Sequence, residues 1–255
     1  MKNPVTVKDV VRLMDELAPR ERAEEWDHVG LMVGSEKEEV KGIVLSLDVT
    51  AEAIALCKDS GANLMITHHP LFFSPIFSID TETLQGNRIA HLLRENISVF
   101  SAHTNLDRAD HSVNHALAEK LGLEIVGVPE DCRFGLICRS DKPQQYMRMS
   151  NHMRELLNSS GVFLNSAKDG EIQSFCLCAG SFDETFIPAI IRSSVDAVIT
   201  GEMKHHSMVM LNEAGVRVIA VGHEATERVI LHFLEISLRE RFPGLPIRIA
   251  SGNIF

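Results

Sequence analysis

Short apolar runs that alternate with helical segments constrain this chain most strongly. Ile43–Asp48 is an apolar run, Thr50 can cap a helix over Ala51–Asp59, and Asn63–Thr67 is a second apolar run after Gly61. This order predicts a strand, a helix and a strand, and such units favour a parallel sheet. Ligands of open α/β sheets gather beyond the carboxyl ends of the strands. The residues that follow each predicted strand are therefore the candidates for a functional site.

The same order recurs later in the chain and again places polar residues after strands. A helix near Gly86–Asn96 precedes a strand at Ile97–Ser101, which leads to His103. A strand at Val216–Val221 leads to His223, and a helix is predicted from Ala225 to about Phe242. We therefore expect an α/β protein in which several strand ends carry ionisable residues.

Composition and length limit the class of protein. The 255 residues include 45% hydrophobic and 24% charged side chains, which is typical of soluble globular proteins. This length suits one large domain or two intimate ones. We place the domain boundaries near His103 and His232, which predicts a discontinuous first domain (1–103 with 233–255) and a second domain at 104–232.

Several classes of function are disfavoured. No apolar run approaches the roughly 20 residues of a membrane helix, and the N-terminus lacks the apolar core of a signal peptide, so we expect a cytoplasmic protein without membrane association. The net charge of −10 and the absence of clustered Lys and Arg argue against a dedicated nucleic-acid binder. The five cysteines form no C-x-x-C pair, which predicts free, buried thiols.

Histidine and carboxylate side chains at the strand ends suggest a metal centre. His68 and His69 are followed by Pro70, which forbids a helix and can hold the pair on a fixed corner, although His-His-Pro alone is also an ordinary exposed turn. Asp107 lies in a polar loop after His103. A purely structural role gives only a weak explanation for so many imidazole and carboxylate groups in this loop.

The last strand end completes the predicted ligand set. His223 and Glu227 are four residues apart at a helix start, so both can face one point. In a two-metal site one carboxylate commonly bridges ions about 3.5–4 Å apart, and Glu227 is the bridging candidate. The predicted ligands of two divalent ions are His68, His69, Asp107, His223 and Glu227. Such imidazole and carboxylate ligands suit zinc, iron or manganese.

Six ordered sequence blocks resemble the Nif-three-like family, also labelled GTP cyclohydrolase I type 2 homologues, in its short form. The blocks are EEWDHVGLMVG (24–34), SLDVT (46–50), THHP (67–70), SAHTNLD (101–107), TGEMKHH (200–206) and GHEATE (222–227). They span nearly the whole chain. The family often has Asn in place of His28 and a Gly-rich turn in place of residues 110–112, which weakens inference about the substrate more than about the metal.

The resemblance implies a dinuclear metal centre and a toroidal homo-hexamer. It implies two intimate three-layer α/β domains with mixed sheets and the metal site in the cleft between them. The same five residues match the family's ligands. His103 is expected to support the ligands from outside the ligand set, and no catalytic residue is identified.

Two functions from different classes remain open. One is a metal-dependent hydrolase, similar to GTP cyclohydrolase I type 2, which acts through metal-activated water on a small molecule or nucleotide that the sequence does not identify. The other is a metal-binding hexameric scaffold or regulatory interaction protein without turnover.

Two further segments have structural alternatives to a functional role. Trp26 and Asp27 are expected to pack against or cap the first helix, with packing favoured for Trp26. Lys204 and the two histidines after it stand at a predicted helix start, which suits either an anion or a solvated helix end.

Overall fold

The computed structural model describes residues 4–252, which form two compact units. The first unit comprises the chain up to Asp110 together with the segment from Leu231, and the second runs from His111 to Ile230. The folding domains expected from the sequence divide instead at 103/104 and 232/233, and they stay a prediction. No helix in the described range is long and apolar enough to cross a bilayer.

Helices and strands alternate over much of the chain. In the first stretch they are α1 (Val7–Leu17), a 3₁₀ turn (Arg20–Arg22), β1 (Gly30–Val33), β2 (Ile43–Ser46), α2 (Ala51–Ser60), β3 (Leu64–Thr67), α3 (Leu84–Arg94), β4 (Ser98–Ser101) and α4 (Thr104–Asp107). Next come α5 (Val113–Leu121), β5 (Glu124–Gly127), β6 (Leu136–Gln145), α6 (Tyr146–Leu156), β7 (Phe163–Leu164) and β8 (Glu171–Ser181). The chain continues through a 3₁₀ turn (Glu184–Phe186), α7 (Ile187–Ser193), β9 (Ala197–Glu202), α8 (His205–Glu213), β10 (Arg217–Ala220), α9 (His223–Glu227), α10 (Val229–Arg241) and β11 (Ile247–Ile249).

The sheet of the first unit has the strand order β1-β4-β3-β2-β11. Strand β1 is antiparallel to β4, and the other three pairs are parallel. Every residue of β2, β3 and β4 is buried, because helices and loops cover these strands. Ser46, Thr67 and Ser101 stand side by side at the carboxyl ends of the three strands. The residues that follow them therefore meet at one sheet edge.

Local capping explains why the first β-α-β unit forms where the sequence predicts it. The Thr50 side chain accepts a hydrogen bond of 3.0 Å from the backbone N–H of Ala53, which satisfies one of the open donors at the start of α2. Gly61 ends the helix at φ 73°, in the left-handed region that favours glycine.

The sheet of the second unit has the strand order β5-β6-β8-β9-β10-β7. Strands β8, β9 and β10 are parallel to one another, and the three outer pairs are antiparallel. Cys178, Thr200 and Ala220 stand in register near the carboxyl ends of the parallel strands. The predicted α/β class with two mixed sheets is therefore confirmed.

Two details refine the predictions. The helix predicted from Ala225 to Phe242 is instead two helices, α9 and α10, which are separated at Arg228. All five cysteines are free and buried, as predicted. Cys176 and Cys178 point to the same face of β8, with their sulfur atoms 3.8 Å apart.

Candidate metal centre

His68 and His69 stand on a turn directly after β3. The Thr67 hydroxyl donates to the His69 carbonyl oxygen at 2.8 Å, which bends the chain so that the two imidazoles do not point to opposite faces of the sheet. Their ring centroids are 5.0 Å apart. The fixed corner predicted from the His-His-Pro sequence is present.

Each of these two imidazoles is oriented by an oxygen atom from a neighbouring strand end. His68 Nδ1 lies 2.9 Å from the carbonyl oxygen of Ala102, just after β4. His69 Nδ1 lies 3.0 Å from the Asp48 carboxylate, just after β2. The register of the three parallel strands brings these partners together, although they are more than 20 residues apart in the chain.

Asp107 lies at the end of the short helix α4, which follows β4. One oxygen of its carboxylate is 3.7 Å from His68 Nε2, and its side chain is 22% exposed. A negative charge beside this buried imidazole would favour binding of a cation between them. The structure therefore brings together three of the five predicted ligands within the first unit.

His103 joins this group through a carboxylate that the sequence interpretation assigned to capping or packing. Its Nδ1 lies 3.1 Å from both oxygens of Asp27, whose side chain is fully buried. Burial alone raises the pKa of Asp27, but hydrogen bonds from His103 and Thr104 outweigh burial and lower this pKa to about 2. Asp27 is thus an anchored anion that orients His103.

The packing role predicted for Trp26 is wrong, because its side chain is 58% exposed. Its ring instead contacts the His103 ring edge-on, with the centroids 6.0 Å apart. Phe73, which is 59% exposed, makes a similar contact with His103 at 5.8 Å. Two exposed aromatic rings therefore stand beside the His103 imidazole.

The other two predicted ligands lie together in the second unit, on α9. His223 Nε2 is 3.0 Å from a carboxylate oxygen of Glu227, as the spacing of four residues predicted. His223 Nδ1 is 2.9 Å from the Glu202 carboxylate at the end of β9. Glu227 is only 6% exposed. A carboxylate this buried requires a positive charge or hydrogen bonds nearby.

Two glycines leave the space that this group occupies. Gly180 has φ 69°, and a Cβ there would overlap the Glu227 carboxylate. A Cβ on Gly201 would lie 2.6 Å from the His223 Cα atom and 2.8 Å from the Thr226 hydroxyl. Thr226 in turn accepts a hydrogen bond of 3.0 Å from the Gly180 N–H. Close backbone approach, which only glycine permits, therefore positions Glu227.

The chemistry of these side chains fits a divalent metal. Carbonyl and ionised carboxylate oxygens only accept hydrogen bonds, so Nδ1 carries the proton in neutral His68 and His69. The lone pair of each imidazole is then on Nε2, the atom that can bind a metal. Metal-binding histidines almost always show this arrangement. Imidazole and carboxylate groups that could hold a metal ion are therefore present.

The start of α8 gives no support to an anion site. The Glu184 carboxylate accepts from His206 Nε2 at 2.5 Å and lies 3.5 Å from Lys204 Nζ. The hydrogen bond from His206 and the charge of Lys204 lower the pKa of Glu184. The Glu184 carboxylate already pairs with the side chains of Lys204 and His206, which an anion would need. An exposed, solvated helix start is therefore a sufficient explanation for these residues.

Asp27 and Glu202 are site residues that the sequence interpretation missed. Each is a carboxylate that orients a histidine, and each lies in a sequence block that carried the family resemblance. Both are far in sequence from their partners, 76 residues for Asp27 and 21 for Glu202. Their position within the blocks that resemble the family was the sequence signal that could have identified these two carboxylates.

Comparison with known proteins identifies the family of this chain. The model of the family described as DUF34/NIF3, NGG1p interacting factor 3, matches residues 5–253. A Clostridium acetobutylicum protein named GTP cyclohydrolase 1 type 2 homolog is 30% identical over 97% of this chain and 96% of its own length. A Helicobacter pylori protein named GTP cyclohydrolase 1 type 2 is 32% identical over 87% of each chain.

Solved structures show the same fold. A Staphylococcus aureus hypothetical protein aligns with a TM-score of 0.90 and 22% identity over 99% of both chains. A Bacillus cereus protein related to NIF3 aligns with a TM-score of 0.87 and 18% identity over 98% of both chains. The resemblance seen in the six sequence blocks is confirmed, and this chain is a member of the DUF34/NIF3 family.

Proposed function

We propose that this protein is a metal-dependent hydrolase that holds two divalent ions with His68, His69, Asp107, His223 and Glu227. The observation that carries the proposal is that Nδ1 of both His68 and His69 lies against a hydrogen-bond acceptor, which leaves Nε2 as the binding atom. Buried or partly buried carboxylates accompany the imidazole ligands in each unit. The proposal requires the ligands of the two units to share one pair of ions.

Within this ligand set Glu227 would be the residue that both ions share. Its carboxylate has two oxygens, and the Gly180 backbone leaves room for one of them while the other lies against His223. Zinc, iron or manganese held there would act as Lewis acids and acidify water for attack on a carbonyl, ring carbon or phosphoryl group. The five side chains bind and orient, and the catalytic acid or base is left unassigned.

The substrate class follows from the names of the relatives and from the exposed aromatic rings. Proteins similar to this chain carry the name GTP cyclohydrolase 1 type 2, so a purine nucleotide is the first substrate to examine. Trp26 and Phe73 offer exposed ring surface beside His103, and such surface suits the flat face of a base.

We also propose a homo-hexamer, as the family resemblance implies, located in the cytoplasm. Light scattering on dilute protein should give a mass about six times the 28.3 kDa of one chain. A mass of 28.3 kDa at every concentration would contradict this assembly.

A non-enzymatic scaffold is the second candidate, and one observation favours it. The segment after His69 carries large apolar side chains that are exposed, namely Phe73, Ile76, Phe77, Ile79 and Leu84, and Phe77 is 99% exposed. A segment with several exposed apolar side chains is a candidate interaction site, because contiguous exposed apolar surface commonly marks one.

A turnover screen separates the two candidates. Metal-loaded protein is incubated with GTP and with a panel of phosphate esters and cyclic amides, alongside Asp107→Ala and a control variant, His91→Ala, which changes an exposed histidine of α3. A hydrolase should lose about 100-fold or more of its rate in Asp107→Ala and none in His91→Ala. Equal rates in all three proteins would contradict the metal-dependent mechanism. Metal binding without any turnover would favour the scaffold.

A further inference from the structure

Three of the five cysteines meet inside the second unit. Cys132 comes from the loop between β5 and β6, and Cys176 and Cys178 stand on one face of β8. All three side chains are buried. We propose that these three thiols form a binding site for one soft, thiophilic metal ion such as Cu(I). The site shares no residue with the five-ligand centre, and it does not depend on the hydrolase function.

The spacing of the sulfur atoms carries the first step. The Sγ atoms of Cys176 and Cys178 are 3.8 Å apart. A Cβ atom added to Gly135 would lie 2.7 Å from Cys132 Sγ and 3.3 Å from Cys176 Sγ, so these two sulfurs border the same point. Hydrogen bonds link Cys132 to both of the other thiols. Sulfur atoms bound to one ion at about 2.3 Å stand roughly 3.8–4.0 Å apart, so small movements would bring all three onto one ion.

The backbone around Cys132 carries the second step. The N–H groups of Phe134 and Gly135, which follow closely in the same loop, donate hydrogen bonds to the Cys132 sulfur. Because Gly135 has no Cβ, its backbone can approach this sulfur closely. Hydrogen bonds from N–H groups stabilise a thiolate, and the thiolate is the form of cysteine that binds metals. The loop therefore prepares Cys132 as a ligand.

The protons shared among the three sulfurs support the same assignment. Hydrogen bonds from Cys176 and Cys178 lower the pKa of Cys132, although burial opposes this. The hydrogen bond to Cys132 in turn raises the pKa of both donors. The cluster thus holds one thiolate, with two S–H groups directed at it. A cation that displaced these two protons would take their place among the sulfurs.

The number and type of ligands select a soft ion. Cys138 on β6 packs in the core on the other face of the sheet, with Phe175 and Leu177, so the site offers three sulfur ligands. Thiolates select Cu(I), zinc and iron–sulfur clusters. Structural zinc is almost always four-coordinate, so three thiols suit Cu(I) better. The loop is exposed on either side of Cys132, at Asp131 and Arg133, which leaves only a short path from the surface.

Two alternatives make different predictions. Buried free cysteines commonly serve as small apolar side chains, and core filling predicts that replacing Cys132 changes stability and leaves metal content as it is. A redox pair is the other alternative. Hydrogen peroxide would oxidise the Cys132 thiol to a sulfenic acid and release water, and the Cys176 thiol would then displace a second water to form a disulfide. Such a pair needs no ion.

Anaerobic titration of reduced, full-length protein with Cu(I), in competition with a chromophoric Cu(I) chelator, measures the site. We expect one ion per chain, thiolate-to-copper absorption in the ultraviolet, and sulfur neighbours alone by X-ray absorption, which an imidazole and carboxylate centre would not give. Cys132→Ala should weaken the ion about 100-fold or more, and Gly135→Ala should weaken it about 10-fold while keeping all three thiols. Cys138→Ala, which removes a buried thiol on the opposite face, should leave the affinity unchanged.

Wild-type protein is also refolded in the presence of Cu(I), so that a closed entrance cannot hide the site. Failure to retain an ion by either route, or equal affinity in wild type and folded Cys132→Ala, would overturn the inference. A Cys132–Cys176 disulfide formed by hydrogen peroxide in protein that retains no ion would overturn it in favour of the redox pair. Because the readout is sulfur coordination, none of these results bears on the five-ligand centre, and failure of that centre to bind metal would leave the three-thiol site standing.

Discussion

Replacing Gly180 by alanine should damage the metal centre through Glu227, while a matched glycine replacement should not. Gly180 and Gly122 both lie in the second unit with left-handed backbone, at φ 69° and 65°. A Cβ on Gly180 would overlap the Glu227 carboxylate, whereas a Cβ on Gly122 has no neighbour within 4 Å. The two variants therefore share backbone strain and differ in the clash.

The magnitudes follow from these two terms. A left-handed alanine costs about 1–2 kcal/mol in both variants. The overlap adds about 1–3 kcal/mol of overpacking in Gly180→Ala alone, or moves Glu227 away to relieve it. In the second case the free energy of unfolding matches that of Gly122→Ala, and metal affinity falls about 10-fold or more.

Chemical denaturation and calorimetric metal titration of both variants measure the two quantities. We expect Gly122→Ala to bind metal as the wild type does and Gly180→Ala to bind one of its ions more weakly. The reasoning is refuted if the two variants have the same stability and the same metal affinity, because the backbone at Gly180 would then not position Glu227.

Three further predictions concern stability and accessibility. Divalent metal in excess at 100 times its dissociation constant should raise the free energy of unfolding of the wild type by about 2.7 kcal/mol for each ion bound, and thermal denaturation should show a much smaller rise in Asp107→Ala. Burial opposes it, but hydrogen bonds from Gln173 and Ser174 lower the pKa of Asp196. The stabilisation from this carboxylate is therefore complete above the ordinary carboxyl pKa and is lost as pH falls through the lower folded value. Asp196→Asn should lower the free energy of unfolding by about 1–2 kcal/mol at pH 7 and make acid unfolding less steep, and an unchanged acid profile would contradict this. Burial raises the pKa of Cys57 to about 12, and all five thiols are buried. A thiol reagent should therefore label them only after denaturation. Rapid labelling of the native protein would show instead that the cysteines are accessible.

Periodicity and capping predicted the parts of the fold that depend on nearby residues. Thr50 and Gly61 bound α2 as their chemistry requires, and the apolar runs after them became buried parallel strands. Because parallel strands end at the same edge, the sequence alone predicts that the polar residues after β3 and β4 lie together.

The interactions that the sequence did not reveal are those between distant segments. Asp27 reaches His103 across 76 residues, and nothing in local periodicity selects that partner. The break between α9 and α10 at Arg228 carries no proline or glycine, so no local signal marked it. Trp26 is a large apolar residue, which favours a packing role. Its contact with His103 depends on tertiary structure, which the local sequence does not specify.

The metal content of purified protein tests the central claim most directly. Elemental analysis of the wild type, reconstituted with zinc or manganese and freed of loose ions, should give two ions per chain. Glu227→Gln keeps the size of the side chain but removes the negative charge that offsets repulsion between two cations, so it should retain about one ion with an unchanged circular dichroism spectrum. Two ions per chain in both proteins, or none in the wild type, would contradict a two-ion centre bridged by Glu227.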